Sequence, residues 1–468
     1  MNERDRTILA RLERLPAWPY SWRLLLVIAA AWFFAFFDIG NIADVLPSAL
    51  RTYHATATLG AAAVSAGLFG YVVGELANST LSDLRGRRVA IVSAALLYSV
   101  GSLINGFSPS LGVFIATRFL VGAGVGATIS VMSTYLSEIL PTGVRGRYAA
   151  WATMPALVGL GVVPLVALAI VPGTVFGWRL LLMVPVLGIV PLLLYWRSIP
   201  ESPRWLIEHR HPESADQLVS EAEARVARRG RDLPPVSLPT QPRGETGHRK
   251  QSRLGLGAIF RPPLLRITVI LLLVWLFNYF GAYGIAGVGV TALVQHGFSL
   301  TTSIQLTIGG SVGGVVGALV APHVSDLWVR KWPLFVVTLV LAACLVTLGM
   351  APANWLIFLA FTLLYFQVGF FAPIGYLLTA EHFPTAGRNL GVAVTDGLGH
   401  LGGMLGPVAA LTVLQLAGFG PMWVMFGVGF ILCAIMVSFT QPTTRRTLEA
   451  IIETERTQGR AGSTEVGA

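Results

Sequence analysis

Charge is what this chain has little of: Asp, Glu, Lys and Arg make up 12% of its 468 residues, against 54% hydrophobic. A water-soluble domain carries about a quarter charged residues, so this balance excludes a globular protein of the aqueous phase and leaves a membrane protein. Cysteine is also scarce. Cys344 and Cys433 both sit in apolar runs, which excludes a disulfide framework, thiol catalysis and a cysteine metal site, and no metal is expected. The net charge of +10 comes from short basic blocks between apolar runs and not from one amphipathic face. It is a topology signal, and no nucleic-acid partner is implied.

Long apolar runs, by contrast, are abundant. Taking about 20 residues as one crossing, the sequence predicts twelve spans, at 23–46, 59–80, 89–107, 111–139, 148–171, 178–198, 264–294, 301–322, 333–350, 354–380, 389–415 and 419–440. With the amino terminus inside, every Lys and Arg except Arg51, Arg118 and Arg179 falls on an inner segment, so both termini are expected in the cytoplasm. Residues 1–22 carry Arg4, Arg6, Arg11 and Arg14 without a small-residue cleavage site, which reads as a cytoplasmic tail and no signal peptide. Residues 23–198 and 264–440 form two six-helix bundles, 199–263 a cytoplasmic linker and 441–468 a polar tail. Within the linker, 212–229 is expected as an amphipathic helix on the membrane surface and 232–253 as disordered.

The two bundles are copies. Shifting Gly70–Arg88 forward by 243 residues superposes it on Gly313–Lys331, with Gly70/Gly313, Gly74/Gly317, Asp83/Asp326, Arg87/Arg330 and Arg88/Lys331 in register. Glu138, Pro141 and Arg145 land on Glu381, Pro384 and Arg388, and Gly159 and Pro164 on Gly402 and Pro407. Six crossings return the chain to the same side, so the repeats are parallel. The fold class is therefore an all-α membrane protein of twelve transmembrane helices in two parallel six-helix repeats.

Several motifs carry a family resemblance. Ser82-Asp83-x-x-Gly86-Arg87-Arg88 resembles the signature loop of the major facilitator superfamily. Pro200-Glu201-Ser202-Pro203-Arg204-Trp205, Arg118 with Gly122, Gly124 and Gly126, and Glu138-x-x-Pro141-x-x-x-Arg145-Gly146 resemble the sugar porters and their metabolite:proton symporter relatives. The resemblance implies a monomeric alternating-access carrier of the plasma membrane that is not an enzyme. It implies as partners a small polar solute, protons and the lipid bilayer. No Walker sequence is present, and Gly122-x-Gly-x-Gly126 follows no strand, so no cofactor is expected and the proton gradient is the expected driving force. Where sugar porters carry paired glutamines on the seventh span, Phe277-Asn278-Tyr279-Phe280 stands here, so the expected solute is a metabolite, an organic acid or a sugar, with a hexose no longer favoured. The alternatives are a proton-linked efflux antiporter, whose fifth-span signature Gly159-Leu-Gly161-Val-Val-Pro164 does not meet, an uncoupled facilitator, and a non-transporting receptor.

What the copies share reads as a cytoplasmic gate: Asp83, Arg87, Arg88, Glu138 and Arg145 in the first repeat, with Asp326, Arg330, Glu381 and Arg388 in the second. Exposed charges facing each other between the repeats make weak, breakable pairs of about 0–1 kcal/mol each. What the copies do not share reads as the working site. Asp38 maps onto Gly281 and Arg118 onto Phe361, and a charge at mid-span costs about 2.5–3.5 kcal/mol on insertion scales, so it is kept where it is paired or used. Counting about 1.5 Å per residue, the two lie at similar depth. Asp38 is expected to take a proton and release Arg118, with a permanent structural ion pair as the alternative. Asp396 and His400, spaced i, i+4, are candidates for a second proton relay or a structural pair. Asn41, Asn278, Tyr279, Tyr283 and Gln367 are candidate substrate contacts. Asp44 is expected nearer the surface and solvated.

Overall fold

The computed structural model describes residues 3–236, 257, 259–262, 264–327, 329–383 and 388–441. Among them twelve helices are long and apolar enough to cross a membrane. Six lie in the first repeat, at Trp22–Thr52, Ala57–Arg85, Arg87–Gly106, Leu111–Ile139, Trp151–Ile170 and Gly177–Ser198. Six lie in the second, at Leu265–Gln295, Leu300–Val324, Lys331–Met350, Asn354–Glu381, Leu390–Ala417 and Phe419–Ser438. Helices of 31 residues at the first and seventh spans are about 46 Å long at 1.5 Å per residue. That exceeds the roughly 30 Å hydrocarbon layer, so their ends reach into the aqueous boundary.

The duplication is visible in the packing. A Cβ at Gly70 would strike the carbonyl of Phe119 and one at Gly74 that of Ala123, while Gly313 and Gly317 meet the carbonyls of Thr362 and Phe366. Gly159 faces the carbonyl of Phe33, and Gly402 that of Leu276. Each partner is displaced by the same 243 residues as its glycine. Small residues therefore let the same helix pairs approach backbone to backbone in both repeats.

The chain divides into two compact units, one of Met1–Asn41, Phe69–Val163 and Arg179–Gly247, the other of Ile42–Leu68, Pro164–Trp178 and His248–Ala468. The core of the first gathers Trp32, Tyr98, Tyr135, Val121 and Val125. The core of the second gathers Trp275, Phe370, Phe371, Ile374 and Cys433, with Trp275 the repeat counterpart of Trp32. In the second unit Thr58 Oγ1 donates to Gln415 Oε1 at 2.8 Å and Ser65 Oγ to the carbonyl of Met404 at 2.7 Å.

The first 22 residues, expected as a tail, contain a helix at Glu3–Glu13. The helix expected at 212–229 spans Pro212–Ala227, but its apolar face does not lie on a membrane. Ala215, Val219, Ala222 and Val226 are covered by Ile8, Leu12, Leu15 and Leu206. Charge locks the two helices: Arg11 Nη2 lies 2.6 Å from Glu223 Oε2 and Arg14 Nη2 2.6 Å from Glu223 Oε1. Burial pushes the Glu223 carboxyl up, and the hydrogen bonds from Arg11 and Arg14 outweigh it and hold the group below the usual glutamate range. The amphipathic pattern is real; the surface it serves is another helix.

Candidate functional site

The charged rim is built by the same pair twice. At the first, Arg87 Nε and Nη2 donate to Glu138 Oε2 and Oε1 at 2.8 and 2.7 Å, and Nη1 reaches the Ser82 carbonyl at 2.9 Å and Asp83 Oδ1 at 3.1 Å. At the second, Arg330 Nη1 donates to both oxygens of Glu381 at 2.7 and 2.8 Å. Each carboxylate thus takes its arginine from its own repeat, whereas the sequence reading had pairs forming between the repeats. A buried pair inside one bundle stays bonded while that bundle moves as a body, so these two fasten helix ends. Arg88 lies over the Trp196 ring, 4.7 Å from its centroid. Asp83 is mostly exposed. The side chains of Arg145, Asp326 and Arg388 lie outside the described residues.

The charges unique to the first repeat meet. Arg118 Nη1 lies 3.3 Å from Asp38 Oδ2 and 3.5 Å from Oδ1, with both side chains buried. One helical turn along, Asn41 Nδ2 donates to Asp38 Oδ1 at 3.1 Å, and Ser102 Oγ from the third span donates to the same oxygen at 3.4 Å. These are long for charge-assisted hydrogen bonds, which run about 2.7–2.9 Å, so the pair is in contact but not clamped. Arg118 Nε and Asn41 Oδ1 are buried without a hydrogen-bond partner among the described residues. Unspent donors and acceptors of this kind are uncommon in a finished core.

The polar cluster of the second repeat is differently made. Tyr279 Oη and Tyr376 Oη donate to Asp396 Oδ1 at 2.5 and 3.0 Å, and the two hydroxyls are 3.3 Å apart. His400 is not the partner of that carboxylate: its Nδ1 meets the backbone carbonyl of Asp396 at 3.0 Å, as i, i+4 neighbours on one helix can. Its ring packs on Tyr279 and Tyr283, with centroids 4.2 and 5.8 Å away. Trp275 adds its face to Tyr376 and Tyr279 at 4.7 and 5.3 Å. Gln367 Nε2 donates to Asn278 Oδ1 at 2.7 Å, and both residues are buried. Asp44, expected to be solvated, is 3% exposed, because the first helix continues past it to Thr52.

With this geometry in place, comparison with known proteins is decisive. The family described as Sugar (and other) transporter matches residues 24–454. The chain belongs to that family. It is 26% identical over 434 residues to the putative metabolite transport protein YyaJ of Bacillus subtilis (strain 168), covering 93% of this chain and 95% of the relative. It is 27% identical over 454 residues to the niacin transporter NiaP of Acinetobacter baylyi (strain ATCC 33305 / BD413 / ADP1), covering 95% and 99%. Among solved structures, a D-xylose-proton symporter superposes with a TM-score of 0.70 at 18% identity, covering 91% of this chain and 99% of that one. The protein is a major facilitator transporter, a multi-pass membrane protein and not an enzyme.

Within this transporter three features escaped the sequence reading. Glu201 caps the third span: its oxygens accept from the backbone N–H of Arg87 at 2.8 Å and of Arg88 at 3.2 Å. The motif containing Glu201 was visible, but its target was not. Ser102 and Tyr376 were the other two. Comparing the copies could have flagged Ser102, since its counterpart is Leu345. The counterparts of the first-repeat cluster are Gly281, Gly284, Leu345 and Phe361, and there Phe430 and Phe426 fill the space over the two glycines. Where one repeat holds an ion pair, the other holds hydrocarbon.

Proposed function

We propose that this transporter carries a small polar organic solute across the plasma membrane, as a monomer and together with a proton, by alternating access, and that Asp38 is the proton acceptor. Protonation removes the charge that Arg118 pairs with, and a freed guanidinium inside the bundle must find another partner, which shifts the balance between two arrangements of the site. The observation that carries this reading is the buried, loosely bonded Arg118–Asp38 pair at 3.3 Å, present in one repeat and absent from its copy. A permanent structural bridge would be favoured by short charge-assisted bonds, which the rim pairs have and this one lacks.

Asn41 lies beside the pair, and Asn278, Gln367, Tyr279 and Tyr283 are proposed to contact the solute from the second repeat. The rim residues Asp83, Arg87, Arg88, Glu138, Arg145, Asp326, Arg330, Glu381 and Arg388 are proposed to brace the cytoplasmic ends of the two bundles during the transition. Asp396, held by two phenols and not by the His400 ring, is assigned to the solute side and not to a second proton relay. The names of similar proteins, a metabolite carrier, a niacin transporter and a D-xylose-proton symporter, support a proton-linked metabolite carrier.

The test is uptake into liposomes holding the purified chain, screening labelled sugars, carboxylates, aromatic acids and amines with and without an imposed pH gradient. The wild type should concentrate its solute only with the gradient, and Asp38→Asn should equilibrate it without concentrating it. Accumulation indifferent to the gradient, or an Asp38→Asn variant that still concentrates, would overturn the coupling role.

A further inference from the structure

The second-repeat cluster presents one kind of surface. Tyr279 and Tyr376 spend their hydroxyl protons on Asp396 Oδ1, and His400 Nδ1 spends its proton on a backbone carbonyl. What remains around the carboxylate is electron-rich: the rings of Tyr279, Tyr283 and Tyr376, gathered about the buried Trp275 with neighbouring centroids 4.7–5.3 Å apart, and Asp396 Oδ2. Among the described residues no lysine, arginine or histidine forms an ion pair with Asp396, and Oδ2 accepts no hydrogen bond. Asp396 is 8% exposed and Tyr376 beside it 38% exposed.

A buried carboxylate without a counter-charge is costly, and aromatic faces attract positive charge through their quadrupole. A neutral sugar would need hydroxyl or amide donors here, and the hydroxyls of Tyr279 and Tyr376 are already turned to Asp396. An organic anion would meet Asp396 with like charge. We propose that this cluster is a binding site for an organic cation, a substituted ammonium or a planar pyridinium-type ring, with Asp396 as the counter-charge and the three tyrosine rings as its walls. The inference rests on the carrier reading above and names the class of solute that the second repeat would select.

The probe is tritiated N-methylpyridinium, bound at equilibrium to the purified full-length protein in detergent at constant pH, with tetramethylammonium, benzoate and D-glucose as competitors. Tetramethylammonium should displace it at concentrations where benzoate and glucose do not. Asp396→Asn should weaken binding about tenfold or more, the loss of one opposite charge at short range in a shielded site. Tyr376→Phe, which keeps the ring and removes one of the two hydroxyls that neutralise Asp396 Oδ1, should bind the cation at least as well as the wild type. Equal displacement by benzoate or glucose, unchanged binding in Asp396→Asn, or a marked loss in Tyr376→Phe would each overturn the proposal. The wild-type competition needs no variant, so a misfolded mutant does not rescue the idea. No gradient is involved: absent cation binding beside intact gradient-driven uptake of another solute removes the solute class alone, whereas intact cation binding beside gradient-indifferent uptake removes the coupling alone.

Discussion

The duplicated rim pair offers a comparison in which the protein is its own control. Glu138→Gln and Glu381→Gln make the same chemical change at equivalent positions, but the surroundings differ. In the first repeat Arg87 and Glu138 have side chains 8% and 16% exposed and share two separate N–H···O bonds. In the second, Arg330 and Glu381 are 12% and 26% exposed, and one nitrogen serves both oxygens. Removing the charge at Glu138 leaves a shielded guanidinium with, among the described residues, the largely exposed Asp83 as its counter-charge, a loss of about 1.5–3 kcal/mol for hydrogen bonds to a charged group. At Glu381 water takes over more readily, and about 0.5–1 kcal/mol is expected. The difference, roughly 1–2 kcal/mol, is a factor of about 5–30 in the folding equilibrium. Unfolding of the full chain in mixed micelles, followed by tryptophan fluorescence, measures both costs. An equal penalty, or a larger one at Glu381, would refute the link drawn here between burial, bond geometry and stability.

Two further predictions concern packing and pH. Gly74→Ala and Gly317→Ala should each destabilise by about 1–3 kcal/mol, because a methyl at either position strikes a backbone carbonyl, while Gly112→Ala, with nothing within 4 Å, should be neutral or slightly stabilising; micelle unfolding of the three variants decides it. Docking of the amino-terminal helix should depend on pH through Glu223. Its carboxyl is held below the usual range in the folded protein, so its contribution is complete above the unfolded value near 4.3 and is lost as pH falls through the lower folded value. Hydrogen exchange over residues 3–13, corrected for intrinsic rates, should therefore show protection at pH 7 that fades only well into acid, and Glu223→Gln should remove most of that pH dependence. Unchanged protection in the variant would show that the apolar contacts of Ile8, Leu12 and Leu15 suffice.

Much of the architecture could be read from residues alone because lipid imposes a simple rule: every crossing needs about 20 apolar residues and an internally bonded backbone. The predicted spans consequently fall on the observed helices, and the 243-residue offset reappears as matched carbonyl contacts at Gly70 and Gly313. The pairing of Asp38 with Arg118 was also legible, since each is a charge within an apolar span with no charged counterpart in the other repeat, and counting residues gave their depth. What hydropathy does not encode is the partner of a polar group. Nothing in the spacing of Asp396 and His400 says that the carboxylate turns to Tyr279 and Tyr376 on other helices. Nor does amphipathicity distinguish a lipid headgroup from a neighbouring helix, which is why Pro212–Ala227 was assigned the wrong companion. Asp44 escaped for a third reason: a helix can run past the apolar segment that announces it, carrying a carboxylate along.

Glu201 spends its oxygens on main chain, on the amides of Arg87, Arg88 and Ser202, and lies against Gly86, whose φ of 96° no other residue adopts comfortably. Two strokes of the polypeptide more than a hundred positions apart are thereby welded into a single joint. Tension applied to the segment beyond the sixth crossing arrives at the foot of the third through one short side chain bonded to main chain at its far end, so whatever grips that segment from outside holds a handle on the bundle.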